Sequence, residues 1–443
     1  MGHRLTSGWG LYPTVTAHVH TARLPVHLKQ LLAAGGTWLP QGNCRSYGDG
    51  CLAPQVVSML ALNHLLDFDP SRGTVRAQAG ITLDDLLRFL VPRGWFLPVT
   101  PGTKFPTLGG CLAADVHGKN HHLDGTLRNF VEQLDMVLAD GSEISCSPQD
   151  HPDLFRATLG GMGLTGIIYA ATLRLRRIES AFIDMRSVRT GSLAEAVQVF
   201  SETHANYPYS VAWIDCLARG RQLGRAIVML GDHAAPASDQ PDRELTVHRS
   251  GSVSVPFFLP GPTLNRWTVK AFNTLYYHRQ WRRDVRTRVH YDPFFYPLDA
   301  IGNWNRIYGR KGFLQYQFVI PFNNGMEVMT DILERIAARG AASFLAVLKT
   351  MGPQDGLLAF PMPGYTLALD IRRSDDSIIP FLRELNETVI AAGGRNYLAK
   401  DAIMPRDQFE RMYPGLEEFR RIKRTVDPEG RFKSTQSARL GLS

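Results

Sequence analysis

Two glycine-rich stretches constrain this chain more than any other feature: PQGNCRSYGDG (residues 40–50) and PGTKFPTLGGCLAADVHGKNHH (residues 101–122). Glycine lets a backbone turn sharply enough to present consecutive N–H groups to an anion, and it leaves main chain bare for a flat ligand to lie against. The first stretch reads as a wrap around a pyrophosphate. In the second, Thr107, Gly109 and Gly110 lead into a run of small residues ending at His117, which suits a large ring system resting on the backbone. Two such loops imply one long cofactor, and a dinucleotide has that length.

A third glycine pattern fails its own test. Gly161, Gly163 and Gly166 spell G-x-G-x-x-G, with Asp184 downstream. Rossmann-type binding needs a strand before the glycines and a helix after them, so that the helix N-terminus meets the phosphate. Here DLFRAT reads as a helix and IIYAATLRLRR alternates like a strand, so the order is reversed and an NAD site is set aside.

At 443 residues the chain exceeds one ordinary core and predicts two domains. No apolar run reaches the ~18 residues of a membrane span, and MGHRLTSGWG lacks the apolar centre of a signal peptide, so a cytoplasmic protein is expected. The five cysteines, Cys44, Cys51, Cys111, Cys146 and Cys216, are odd in number and scattered, as reduced thiols are. Of the net charge of +8, much gathers in residues 266–288, where Arg266, Lys270, Arg279, Arg282, Arg283, Arg286 and Arg288 face one acid, Asp284. Trp267, Phe272, Tyr276, Tyr277 and Trp281 are interleaved. Two readings stand: a solvated basic surface beside a buried aromatic row, or a patch docking on anionic lipid headgroups. No reader motif for nucleic acid accompanies it, so no nucleic-acid partner is expected.

Along the chain, a short helix is predicted over residues 26–34, strands over 56–62 and 73–80, and a helix over 83–94 with Asp84 and Asp85 in its first turn. Residues 134–146 alternate around Asp140-Gly141, a two-residue hairpin signal. Beyond Ile178 the texture changes to longer alternating segments at 210–216, 313–321, 343–350 and 365–371, separated by helical stretches at 193–204, 325–339 and 379–392. That pattern predicts a helix-covered, largely antiparallel sheet. Residues 233–243 read as a loop.

Taken together, the two loops, LGGMGLTGII (159–168) and DPEGRF (427–432) resemble the vanillyl-alcohol-oxidase type of FAD-dependent oxidoreductases. RSYGD, HGKNHH, GFLQYQFVIP, SFLAVLK and YLAKD are similar to segments of the branch that acts on polyprenylphosphoryl-β-D-ribose, and they span nearly the whole chain. The resemblance implies an α+β, two-domain vanillyl-alcohol-oxidase/PCMH-type fold: an FAD-binding domain at 1–177, a substrate domain with an antiparallel sheet at 178–394, and a segment at 395–443 returning to the first. It implies oxidation of the ribose 2′-hydroxyl to the 2′-keto sugar, a step toward arabinan and cell-wall glycans. An NAD(P)H-dependent short-chain reductase is then the expected partner, completing the epimerisation, and peripheral contact with the inner face of the plasma membrane is expected. An oxidase of a soluble alditol or sugar lactone, on the same fold, is the alternative, and a basic binding protein with vestigial flavin loops a third.

Residue by residue, the resemblance places FAD against Gly42, Asn43, Cys44, Arg45, Ser46, Tyr47, Gly48, Gly102, Thr107, Leu108, Gly109, Gly110, Ala114, Asp115, Val116, His117, Ile168 and Tyr397. It puts Lys119, Trp213, Gln315, Lys349, Thr366 and Ala368 at the substrate, and Lys400, Tyr47, His117 and Gln317 at the reacting centre. Lys119 and Lys349 suit a phosphate as point charges; which group takes the hydroxyl proton is left open. A metal site at His117, His121 and His122 is not expected, because no acid or thiol accompanies them. Arg45 stands where wider members of the fold carry the histidine that links FAD covalently, so noncovalent FAD is implied. At Thr366 and Ala368, actinobacterial members carry asparagine and cysteine, which leaves the length of the prenyl chain open.

Overall fold

Short strands in the first 180 residues build two small sheets and a two-stranded pair, Trp95–Phe96 with Arg176–Arg177, and one large sheet organises the remaining chain. The computed structural model describes residues 2–237, 244–247, 253–341 and 343–442. In the first sheet Gly2–Ser7 pairs antiparallel with Thr14–Thr21, and Gln55–Ser58 then Leu39–Gln41 follow in parallel. The second is antiparallel throughout, in the order Leu65–Asp69, Thr74–Gln78, Ile167–Arg174, Val131–Val137, Glu143–Cys146. Helix Leu83–Leu90 begins at a capping box between Thr82 and Asp85 and buries Leu83, Leu86, Leu87 and Leu90. The reversed order around the third glycine pattern is observed, with helix Pro152–Thr158 before it and strand Ile167–Arg174 after it.

The large sheet has eight antiparallel strands in the order Asp284–His290, Phe182–Thr190, Ala226–His233, Tyr209–Ile214, Ala346–Met351, Gly364–Arg372, Phe313–Pro321, Arg395–Asn396. Successive side chains on a strand point to opposite faces, so each central strand reads as two interleaved sequences. Leu314, Tyr316, Phe318 and Ile320 share one face with Leu348, Leu367, Leu369 and Ile371, and bury against helices Leu193–Thr203, Phe322–Arg339 and Ile378–Ala391 in one core. The opposite face carries Gln315, Gln317, Lys349, Thr366, Ala368 and Asp370.

The C-terminal segment returns to the first sheet. Trp38 donates its backbone N–H to Arg431 and receives that of Lys433, while Phe432, fully buried, packs with Trp38, Leu28, Leu32 and Val57.

Four local expectations need correction. The strand expected at 56–62 ends at Ser58, because the chain turns so that Gly80 can press against the Met59 carbonyl, where a Cβ would stand 1.9 Å away. At Asp140-Gly141 the loop holds three residues, closed by Leu138 N–H to the Ser142 carbonyl, with Gly141 in the left-handed region at φ 84°. Of the loop expected at 233–243, His233 is instead the last residue of strand Ala226–His233, residues 234–237 are irregular, and 238–243 lie outside the described residues. The basic stretch contains helix Arg266–His278, capped by the Asn265 side chain on the N–H groups of Trp267 and Thr268. Its charges also meet acids from elsewhere: Arg283 reaches Glu195 at 3.5 Å, Arg288 pairs with Glu244, and Asp284 is held by Arg186 at 2.6 Å.

Candidate functional site

The first loop is fixed from three sides. Asn43 Nδ2 donates to the Phe105 carbonyl at 2.9 Å, tying it to the second loop. Tyr47 N–H bonds the Ala399 carbonyl at 3.0 Å, and Gly48 lies so close to Asp401 that a Cβ would stand 1.7 Å from its carbonyl oxygen. From the C-terminal helix Thr435–Leu440, Arg439 clamps Asp49 at 2.7 Å and Asp401 at 2.9 Å. Asp401 is thereby fully engaged, since its other oxygen accepts N–H groups of Ile403 and Met404. In the second loop Thr107 caps the short helix Leu108–Ala113, and Gly109 N–H bonds the Ala79 carbonyl at 2.7 Å.

Between these loops and the polar face of the large sheet lies a cavity of about 570 Å³. Every residue singled out above as a site residue lines it except four. Gly48 faces Asp401 instead, and Leu108 is fully buried in the core beneath. Asp115 turns away to pair with Arg128 at 3.1 Å, both buried. Thr366 acts from behind, its Oγ accepting from Gln317 Nε2 at 3.3 Å while donating to the Phe318 carbonyl.

Cross-strand register assembles the sheet side of the wall. Trp213, Val347, Ala368 and Gln317 form one row across four strands; Lys349 and Thr366 form the next, and Gln315 sits opposite Asp370. His117 is held between elements far apart in sequence, with Nδ1 2.9 Å from Lys349 Nζ and Nε2 3.1 Å from Gln317 Nε2. Its ring lies near those of Tyr397 and Phe360, which stack on each other, and Tyr397 Oη donates to the Ala114 carbonyl. Lys400 Nζ sits 3.8 Å above the Tyr47 ring. Trp213 donates Nε1–H to the Phe344 carbonyl and packs on Tyr276 at 4.6 Å.

Burial governs the charges. It holds His117 well below the usual imidazole range, with Lys349 nearby reinforcing the effect. It lowers Lys119 to about 8, and it drives Lys349 well below the ordinary lysine range, with Lys119 and Lys400 adding repulsion. The wall is therefore a cluster of cations short of counter-charge, which an anionic ligand would restore to full protonation. With Lys349 an uncharged amine the hydrogen bonds close consistently: Gln317 donates to His117 Nε2, and Nδ1–H donates to Lys349, which reaches the Gly118 carbonyl at 3.4 Å.

Several residues escaped the sequence. Asp299 lines the cavity, receives the Lys104 N–H at 2.8 Å, and is raised to about 6 by burial. Asp370 stands behind Gln315, fully buried. Its signal was an acid on the alternating strand YTLALDI, which cannot be told from a solvent-facing acid until the sheet's polar face is known to be covered.

The cavity fits a dinucleotide. Its volume is that of a cofactor site, and Gly42, Gly102, Gly109, Gly110 and Gly163 contribute backbone to its wall, with open space beyond Gly102 where a side chain would project. Arg45 reaches that wall between the rings of Trp9 and Phe105, and its buried Nε has no protein partner among the described residues.

Comparison with known proteins agrees. Residues 20–147 match the FAD binding domain family and residues 312–440 match the family described as D-arabinono-1,4-lactone oxidase. Fold and site thus define an FAD-dependent oxidoreductase of α+β architecture. The chain is 36% identical over 98% of its length to decaprenylphosphoryl-beta-D-ribose oxidase of Mycolicibacterium smegmatis, covering 97% of that protein. Shorter similarities reach a putative D-arabinono-1,4-lactone oxidase of Neurospora crassa (34% over 28% of this chain and 22% of that one) and human delta(24)-sterol reductase (31% over 26% and 23%). The chain belongs to the decaprenylphosphoryl-beta-D-ribose oxidase family.

His121 gives a test of the buried electrostatics. Gly352 N–H donates to its Nδ1 at 3.2 Å, so protonating that nitrogen breaks a hydrogen bond, and burial lowers its pKa to about 3. The unfolded chain takes the proton near pH 6.5 and the folded one only near 3, so stability falls as pH drops through this window, by up to about 1.4 kcal/mol per pH unit for one such group. In His121→Gln, which keeps an acceptor but does not titrate, the melting temperature should decline less steeply from pH 6.5 to 4 than in the parent. Parallel declines would contradict the assignment.

Proposed function

We propose that this protein oxidises the 2′-hydroxyl of a polyprenylphosphoryl-β-D-ribose to the 2′-keto sugar, the first half of an epimerisation to the arabinose donor. The similarity over 98% of the chain to an enzyme named for that substrate carries the reading. The cationic cavity wall supports it, since a neutral sugar needs neither Lys119 on the second loop nor Lys349 on the sheet. An oxidase of a soluble lactone or alditol is the second reading, favoured by the match of residues 312–440 to D-arabinono-1,4-lactone oxidase.

In this reading residues 42–47 hold the pyrophosphate of FAD, while Gly102, Thr107, Gly109, Gly110, Ala114, Val116, His117, Ile168 and Tyr397 receive the rest of the cofactor. When bound, FAD supplies the hydride acceptor. Lys119 and Lys349 take the substrate phosphate, and Gln315, Gln317, Trp213 and Ala368 shape the sugar pocket, with Thr366 fixing Gln317. Tyr47 and His117 border the reacting carbon. Lys400 contributes positive charge there, in a site from which bulk water is excluded, where such a group is worth about 10²–10³ in rate. An NAD(P)H-dependent short-chain reductase completes the epimerisation. The domains divide as 1–177, 178–394 and 395–443.

The protein works in the cytoplasm against the inner face of the plasma membrane. Trp267 and Leu275 of helix Arg266–His278, and Trp281 just beyond it, are 72%, 74% and 74% exposed, amid Lys270 and Arg282, and Tyr276 of that helix lines the cavity. Among the described residues no helix is long and apolar enough to cross a membrane, so contact is peripheral.

Three outcomes are expected. Synthetic prenylphosphoryl ribose should bleach the flavin in a single turnover, about 10²–10³ times more slowly in Lys400→Met with FAD retained; bleaching by a sugar lactone instead would favour the second reading. Acid precipitation should leave a colourless pellet and a yellow supernatant, because Arg45 offers no atom for a covalent link; a yellow pellet would refute noncovalent binding. Phosphatidylglycerol vesicles should sediment the protein, phosphatidylcholine vesicles should not, and Trp267→Ser with Leu275→Ser and Trp281→Ser should weaken sedimentation about tenfold or more.

A further inference from the structure

Behind the cavity wall, covered by Gln315, lies a fully buried carboxylate to which the reaction assigns no role. Asp370 is fully buried on strand Gly364–Arg372, on the face that carries Ala368. Its Oδ1 receives the Gln315 amide, and its backbone N–H goes to Ser343 Oγ at 3.1 Å. Its Oδ2 has no hydrogen-bond partner among the described residues. A bare carboxylate oxygen at that depth is costly unless a positive charge answers it.

Lys400 is that charge. Its ammonium lies 3.8 Å above the Tyr47 ring, an arrangement that is attractive only while the lysine is protonated. Burial works against the proton, and Asp370 is the group that works for it. Reciprocally, burial raises the Asp370 carboxyl, with the Gln315 amide and Lys400 opposing. The two do not touch directly. Geometry joins them: Gln315, which bonds the carboxylate, lines one small cavity together with Lys400, Tyr47 lies under the ammonium, and Tyr308, packed in one cluster with Tyr47, brings a buried hydroxyl without a partner among the described residues. Charges interacting across such a region are weakly screened.

The other groups bearing on this pair are Lys349 and His117 on the Lys400 side, and Tyr47, Tyr308 and Ser343 on the Asp370 side. Of these, Lys349 and His117 are themselves held toward their neutral forms, with Lys400 contributing, which leaves Asp370 as the charge that answers Lys400.

We propose that Asp370 is a positioning residue that keeps Lys400 protonated and set over the Tyr47 ring, so that the cavity presents a fixed cation. Asp401, adjacent in sequence, does not serve, because Arg439 and two backbone N–H groups occupy it. The proposal rests on the reading of Lys400 as the cation of the reacting centre.

The test follows the titration of Lys400 itself by NMR of holoprotein labelled with 13C at lysine Cε, its signal identified by loss in Lys400→Met. Asp370→Asn, nearly isosteric, should lower the Lys400 midpoint by about one pH unit or more, and Asp370→Glu should recover most of the shift. Gln315→Met, which removes the carboxylate's donor and leaves both charges, should lower it less. Ser343→Ala loosens the same strand without changing charge and should leave the midpoint in place. An unchanged midpoint in both Asp370→Asn and Gln315→Met, or an equal shift in Ser343→Ala, would overturn the proposal. The titration is read without substrate, so a failed substrate assignment leaves its outcome standing.

Discussion

The close approach of Gly48 to the Asp401 carbonyl is the contact on which the site depends. Any side chain at residue 48 would collide with that backbone, so only glycine lets the first loop lie against the YLAKD segment. Once they meet, Tyr47 is brought beneath Lys400, and Arg439 closes the junction by bridging Asp49 and Asp401. A carboxylate pair this close and this buried needs the guanidinium between it, and the fork geometry of arginine answers both. The last helix of the chain thereby fixes residues from its first fifty and from the segment entering the C-terminal region.

The large sheet solves a second problem. An antiparallel sheet exposes one face when helices cover the other, and that face is free to be polar. Here it is covered again, by the glycine loops, and the polar row becomes a buried wall. Lys349 on that face, and His117 and Lys119 on the loop that covers it, lose much of their hydration, which explains why all three are shifted toward their neutral forms. A wall so poised favours anionic ligands, and it makes the Asp370 carboxylate behind Gln315 electrostatically important.

Much of this was legible in the sequence because it is local. Glycine spacing marked both loops, apolar residues at helical spacing with Asp84 and Asp85 in the first turn marked a helix, and period-two alternation marked the strands Phe313–Pro321 and Gly364–Arg372. The helix in the basic stretch was not seen: only Val269, Asn273 and Tyr277 are fully buried, so its apolar face is too narrow to give a periodic signal.

Sequence by itself determined where the long strands fall, which loops are bare enough to accept a cofactor, and that cations outnumber acids in the chain. Tertiary structure decided which faces meet. Asp115, read as a flavin contact, pairs with Arg128, whereas Asp370, on an alternating strand, faces the lysine cluster. That difference arises because alternation fixes only on which side of a strand a residue lies. What covers that side, whether water or a loop from elsewhere in the chain, is set by packing between elements distant in sequence, and it is the covering that turns an ordinary surface acid into a buried charge.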